Sequence, residues 1–348
     1  MTHVWAVASY RAGENSQIFG LAERLHEQLG WHHTVKRLQY TRFAGVIGIA
    51  RRTTLAGIIP ASRSALVAPW PDVVVCAGVK NEPVCRWIRR ASGNRIRLVF
   101  LGRTWARSDV FDLTIATPQY RVPSAPNVLQ NLMTQHGVTE AKLAAARDRW
   151  RERLAGYPPP RIGVLVGGDS GPFVFGANAA RALAMQIRSL GGTALVTTSA
   201  RTRPDAVDVL AATLPEGSLL HRWRPDDPDN PYLGILALSD ALVVTSDSIA
   251  MLSEAAAAKR PLHIFDVGAI RPPDHSFKSR AYRTMMDVLP ERLSRDLGVF
   301  HEAFIRSGHA VRLGEGVGKP GPGCDAEAEA TVRRVAALLE AHEGPGPV

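Results

Sequence analysis

Thr245-Ser246-Asp247-Ser248, followed six residues after Ser248 by Glu254, contains the residue types that hold a phosphorylated nucleoside. Hydroxyls where a strand turns into a helix stand beside free backbone N–H groups and the positive end of the helix dipole, a combination that attracts an anion. Glu254 interrupts an alanine-rich run about one and two-thirds turns along that helix, with Ala250, Met251, Ala257 and Ala258 on its face. A carboxylate so placed is either part of a solvated face or an acceptor for a diol such as that of a ribose. Asp247 sits where a phosphate would prefer no negative charge, so it reads as a cap or structural partner rather than a ligand contact.

Other segments carry compatible chemistry. Gly167-Gly168-Asp169-Ser170-Gly171 could expose N–H groups to an anion or simply make a tight turn. Thr197 to Thr202, with Ser199 and Arg201, offers hydroxyls and a guanidinium matched to phosphate oxygens, or a capped and solvated turn. Trp223, in HRWRPDDPDNPY, would stack on a base or anchor its loop. Near the N-terminus, Tyr10 to Gln17 includes Arg11, Gly13, Glu14, Asn15 and Gln17. Glu14 there is a candidate general base toward an acceptor hydroxyl, or a first-turn acid favoured by the helix dipole. Lys80 and Asn81, then Gln119 and Tyr120, follow two further strand candidates. No G-x-S-x-G and no Ser/His/Asp order points to a hydrolase triad. The dinucleotide fingerprint G-x-G-x-x-G with an acid about 20 residues on is absent, which disfavours a nicotinamide-dependent oxidoreductase.

The elements that must position these residues alternate strand and helix. Apolar runs VWAVAS (4–9), DVVVCAG (72–78), IRLVFLG (96–102) and DLTIAT (112–117) lack period-two alternation, as parallel strands buried on both faces do. Tyr157-Pro158-Pro159-Pro160 interrupts the chain, and RIGVLVGG, TALVTTS, ALVVTS and PLHIFDV repeat the pattern beyond it. The expected class is therefore α/β, with two Rossmann-like domains whose parallel sheets face a cleft. The expected segments are residues 1–157, residues 158–324, and a closing helix and tail over 325–348. Working residues should sit at the carboxyl ends of strands.

The chain has 348 residues, 45% apolar and 21% charged, which is globular and long enough for two cores. Residues 1–155 carry 22 Lys and Arg against 10 Asp and Glu, while the remainder carries 20 against 22. The basic half suggests an acidic partner such as a phosphorylated substrate or anionic lipid, or else an arginine-rich solvated surface. Arg51 and Arg52 could meet lipid headgroups while Leu55 to Pro60 dips inward, or that stretch could be ordinary core. Nucleic acid is disfavoured, since aromatic residues are only 7%. Cys76, Cys85 and Cys324 form no C-x-x-C and suggest neither zinc nor disulfides. The stretch Phe43 to Pro71 is too interrupted to span a membrane, and MTHVWAVAS is too short for a signal peptide. A cytoplasmic location is expected, with peripheral attachment to the inner membrane as an option.

YRAGENSQ, TPQYRVPSAPNVL, PRIGVLVGGDS, TTSART, DNPYLGILALSDALVVTSDSIAMLSEA and KRPL occur in this order over residues 4 to 310. In this the chain resembles the ELM-type mitochondrial-fission family, many bacterial members of which are treated as glycosyltransferases. The resemblance implies a GT-B-like fold, with the acceptor on the N-terminal domain and a nucleotide-sugar donor on the C-terminal one. It implies donor contacts from Gly168, Asp169, Ser170, Ser199, Arg201, Trp223, Ser246, Ser248, Met251 and Glu254, with Glu254 on the ribose. Glu14 would be the catalytic base. Arg11, Gly13, Asn15, Gln17, Lys80, Asn81, Gln119 and Tyr120 would form the acceptor side. No metal or cofactor is expected, the nucleotide sugar being a substrate and a glycan or lipid-linked molecule the acceptor. Rival readings are an epimerase or hydrolase on the same fold and a non-catalytic interaction protein.

Overall fold

A computed structural model describes residues 1–50, 53–288 and 295–340. Arg51 and Arg52, and the part of the expected tail beyond Glu340, lie outside the described residues. The chain divides into two compact units.

The first unit contains β1 (His3–Val7), α1 (Ala12–Leu29), β2 (His32–Lys36), α2 (Ala44–Ile49), α3 (Pro60–Arg63), β3 (Val73–Ala77), α4 (Glu82–Ala91), β4 (Arg97–Leu101), β5 (Leu113–Ala116) and β6 (Val128–Gln130). Its sheet has the order β2-β1-β3-β4-β5-β6, with every neighbouring pair parallel. Both faces are covered, which is why the strands read as continuous apolar runs. Val4 and Ala6 point into a core with Ile18, Leu21 and Leu25 of α1, while Trp5 and Val7 point into another with Val84, Cys85 and Ile88 of α4. Ile58 is wholly buried in that second core, so the stretch Leu55 to Pro60 does not lie on the surface as a whole.

The second unit contains α5 (Glu140–Trp150), β7 (Arg161–Leu165), α6 (Ala177–Leu190), β8 (Thr193–Thr197), α7 (Pro204–Thr213), β9 (Leu219–His221), α8 (Tyr232–Leu238), β10 (Ala241–Thr245), α9 (Ile249–Ala256), β11 (Leu262–Phe265), α10 (Phe277–Val288), α11 (Leu297–Arg306) and β12 (Val311–Arg312). Its sheet is again wholly parallel, in the order β12-β11-β10-β7-β8-β9. Ile162, Val164 and Val166 bury one face under Ala180, Leu183 and Ile187 of α6.

Two boundaries differ from the sequence expectation. The division falls after Gly137 rather than after Tyr157, so the prolines lie inside the second unit. The cause is α5, which packs on α8: a Cβ on Gly234 would overlap the Trp150 ring, and Arg153 pairs with Asp229 at 2.6 Å. The final helix, α12 (Asp325–Glu340), is not a separate tail. It returns to the first unit, where it packs against α1 and β4 and buries Val332 and Val335 in the core. Its Glu327 carboxylate accepts from Leu132 N (2.5 Å) and Met133 N (2.9 Å), and burial pushes that carboxyl up.

In each sheet the chain steps outward on one side of the first strand, then crosses to its other side. The switch points lie between β1 and β3 and between β7 and β10. Loops leaving adjacent strands in opposite directions open a crevice there, the usual ligand position in such sheets. Replacing Gly234 by Ala is expected to destabilise the second unit by about 1–3 kcal/mol through overpacking. Urea denaturation of wild type and variant checks this.

Candidate functional site

At the switch point of the second unit, the loop after β7 meets the loop after β10. Gly167 N donates to Thr245 Oγ1 and Gly168 N donates to Asp247 Oδ2, both at 2.8 Å. These glycines are needed for packing: a Cβ on Gly167 would overlap the Asp247 carboxylate, and one on Gly168 (φ +154°) would overlap the Arg201 carbonyl. The β8 loop joins them, since Thr202 Oγ1 donates to Gly167 O (2.5 Å), Ser199 Oγ donates to the same carbonyl, and Asp169 N donates to Arg201 O (3.2 Å).

Asp247 is the centre of this cluster. Its side chain has no exposure, yet Arg201, whose side chain is 40% exposed, reaches it at 3.1 Å. Arg201 Nη1 also donates to Asp169 O (3.1 Å). Burial pushes the Asp247 carboxyl up, against the lowering pull of Arg201 and of the hydrogen bonds it accepts. Its Oδ1 is buried without a hydrogen-bond partner among the described residues. Asp247 is therefore an internal counter-ion and does not cap α9; the position before α9 is Ser248, whose hydroxyl makes no capping bond.

The other donor-side candidates separate. Ser246 is fully buried: its hydroxyl accepts from Val267 N (3.0 Å) and its carbonyl bonds His301 Nε2 (2.8 Å). It is thereby removed from ligand contact, a correction that follows from its position in the last hydrogen-bonded step of β10 onto β11. Gly168 and Ser199 are likewise engaged within the cluster. Asp169 Oδ1 accepts from Phe175 N (3.2 Å), and Ser170 pairs through its backbone with Phe173. Met251 and Glu254 lie half-buried further along α9, with the Glu254 carboxylate hydrogen-bonded by the buried Tyr232 hydroxyl. Trp223 keeps an exposed ring, while its backbone N donates to Thr198 Oγ1 (2.9 Å).

In the first unit, α1 starts at Ala12, so Glu14 falls in its first turn. Ser9 Oγ donates to Glu14 Oε2, and Arg11 pairs with Oε1 at 3.4 Å. Gly78 (φ +84°) leaves the room this requires, since a Cβ there would overlap Oε2. Asn15 clamps the β1 loop: Oδ1 accepts from Ser9 N (2.6 Å) and Nδ2 donates to Ser9 O (3.0 Å). Lys80 places its ammonium 4.2 Å from the Tyr10 ring centroid and 5.5 Å from that of Tyr40. Gly13 and Gln17 are joined within α1, where Gln17 Nε2 donates to Gly13 O (3.1 Å).

Two acceptor-side expectations are corrected by burial. Asn81 is buried, its amide donating to the carbonyls of Val7, Ala8 and Ala77 and its Oδ1 meeting the Tyr40 hydroxyl. It ties β1 to β3 instead of facing a ligand. Gln119 is buried with Nε2 on Thr117 Oγ1 (2.6 Å), while Tyr120 packs its ring on Gly102. Tyr40, Ser9 and Tyr232 were missed. Tyr40 carried no sequence signal, because it reaches the β1 loop from beyond β2; Tyr232 was visible within the NPY motif.

Two doubly wound parallel units of this topology define the GT-B-like class. The chain belongs to the mitochondrial fission ELM1 family, whose profile matches residues 12–287. It is 25% identical over 253 residues to "Mitochondrial fission protein ELM1" of Arabidopsis thaliana, a match covering 65% of this chain and 58% of that protein. It is 24% identical over 335 residues to an uncharacterized protein of Rickettsia prowazekii (strain Madrid E), covering 83% and 88%. Among solved structures it is similar to MnaA of S. aureus in a co-structure with UDP (TM-score 0.51, 13% identity, 100% of both chains). It is also similar to a glycosyltransferase of Rickettsia africae (TM-score 0.50, 8% identity, 97% of this chain and 98% of that one). No helix among the described residues is long and apolar enough to cross a membrane.

Arg201→Leu is expected to cost about 1–3 kcal/mol by leaving a buried carboxylate without its cation, less than for a fully buried pair because water reaches the Arg201 side chain. Adding Asp247→Asn should recover much of the loss, as a double-mutant cycle in urea would measure. His301 has a pKa lowered from 6.5 by burial. The unfolded chain therefore takes up its proton first, and this histidine's contribution to stability is lost as pH falls below about 6.5. His301→Gln should flatten that part of the melting-temperature profile between roughly pH 7 and 5.

Proposed function

We propose that the protein is a glycosyltransferase that moves a sugar from a nucleotide-sugar donor to a hydroxyl of a cell-surface glycan or lipid-linked precursor. The observation that carries this reading is Glu254, a carboxylate fixed by Tyr232 on the helix that leaves a strand-sheet switch point. In this reading the acid accepts both hydroxyls of a ribose. The N–H groups at the start of α9, the Ser248 hydroxyl and the exposed part of Arg201 supply donors and positive charge for a diphosphate. Trp223 offers an exposed ring for the base, and Met251 an apolar contact beside it. The similarity to a UDP-bound structure and to a glycosyltransferase supports the reading through the shared fold.

Glu14 is the general base in this proposal. It takes the proton of the acceptor hydroxyl as that oxygen bonds the anomeric carbon. The bond from that carbon to the diphosphate oxygen breaks, and the electron pair leaves with the nucleotide. Arg11, which pairs with Glu14, and Lys80, which lies against the Tyr10 ring, are the acceptor-side cations, and Asn15 fixes the β1 loop. Arg201 and the N-terminus of α9 stabilise the departing charge, so the reading invokes neither metal nor cofactor. A cytoplasmic protein is part of the same reading.

A thermal-shift screen against UDP-, GDP-, CMP- and dTDP-sugars tests it, because a bound nucleotide raises the melting temperature by mass action. One nucleotide class should stabilise the protein. Glu254→Ala should weaken that binding by at least about tenfold, a loss of roughly 1.4 kcal/mol; full retained affinity would remove Glu254 from the donor site. Glu14→Gln should lower kcat about 100- to 10,000-fold with nucleotide affinity unchanged. Epimerised or hydrolysed sugar without any acceptor would favour the epimerase or hydrolase reading. Absence of all nucleotide binding would favour an interaction protein.

A further inference from the structure

The face of α2 is not explained by the transfer reaction. Phe43, Val46 and Ile49 are 56%, 66% and 50% exposed. They recur every three residues, so they form one stripe along the helix and its N-terminal flank. The rest of the helix is anchored inward: Ala44 and Gly48 are buried, and a Cβ on Gly48 would overlap the Val79 carbonyl. The stripe is thus held rigidly outward beside the loop that carries Lys80. An exposed apolar row of this kind on a fixed element marks an interaction surface.

The surrounding charge selects the partner. Residues 28–71 contain no Asp or Glu and six Lys or Arg. Arg42 lies with its guanidinium 4.6 Å from the Phe43 ring centroid, so a cation borders the apolar row directly. The following segment, Thr53 to Ala56, lines a pocket of about 500 Å³ together with Arg63, Trp87 and Arg90. A protein partner would be expected to meet apolar residues in a shaped groove. A short helix with an exposed apolar row bordered by Arg42, in a segment free of acids, instead matches acyl chains beneath anionic headgroups.

We infer that α2 is a membrane-docking element: Phe43, Val46 and Ile49 enter the headgroup–acyl boundary of an anionic bilayer, and Arg42 with the neighbouring cations meets the lipid phosphates. This holds whether or not the protein transfers sugar. It differs from the sequence expectation in using α2 rather than Leu55 to Pro60, whose Ile58 is core.

Co-sedimentation of the full chain with vesicles of phosphatidylcholine containing about 30% phosphatidylglycerol, against pure phosphatidylcholine, is the direct test. Binding should require the anionic lipid, and should fall about tenfold or more between roughly 0.05 and 0.5 M salt. The variant Phe43→Ser/Val46→Ser/Ile49→Ser should lose binding while keeping the wild-type melting temperature. As a second measurement, an environment-sensitive fluorophore on Val46→Cys should brighten with anionic vesicles. The same fluorophore on Met185→Cys, in the other unit and 67% exposed, should not; the three native cysteines are buried, which permits selective labelling. Absence of wild-type binding to anionic vesicles, equal binding by the triple variant, or an unchanged fluorophore at position 46 would each overturn the inference. So would a wild-type dimer that the triple substitution converts to monomer without any vesicle binding, which would assign the stripe to a second copy of the chain.

Discussion

A carboxylate sealed from water must find its partners within the protein, and in the second unit Asp247 organises the site by this requirement. Its partners are the Gly168 N–H and the Arg201 guanidinium. To supply them, the β7 loop must come within contact of the β10 loop, which only residues without a Cβ allow at positions 167 and 168. The β8 loop must turn back so that Arg201 arrives, and Ser199 and Thr202 fasten that turn to the Gly167 carbonyl. The double glycine therefore serves a protein carboxylate first. Any anion that binds there meets an Arg201 already committed on one side and open on the other.

The first unit solves a similar problem with a half-buried acid. Glu14 is fixed by Ser9 and Arg11, and the missing side chain of Gly78 gives it space. Behind it, Asn81 and Tyr40 bind the ends of β1 and β3 through main-chain carbonyls. Glu14 is thus backed by a buried polar layer whose members look functional in sequence. Asn81 belongs to that layer; Gln119, and separately Ser246 in the second unit, are polar candidates that are likewise buried.

The alternation of apolar strands and helices made the two doubly wound units legible, because parallel strands buried on both faces leave an unbroken apolar signature. Strand ends were also legible, and with them most candidate residues. What could not be read was direction. Ser246 and Ser248 are two residues apart, yet one faces β11 and the other begins α9. Partners brought by tertiary contact were equally hidden: Tyr40 reaches Ala8 across 32 residues and His301 reaches Ser246 across 55. The domain boundary was misplaced because prolines mark a break in secondary structure, whereas the packing of α5 on α8 decides which unit owns the segment.

The return of α12 to the first unit has a consequence for biogenesis. All the segments of the second unit precede Asp325, whereas the first unit's core lacks Val332 and Val335 until α12 has been made. On the ribosome the usual order, N-terminal domain first, is therefore reversed for the finished core. The second unit can complete its packing while the sheet that began the chain still exposes the apolar surface beside α1 and β4 that α12 will cover. That nascent face is where a chaperone would be needed, and truncation before α12 would leave it permanently open.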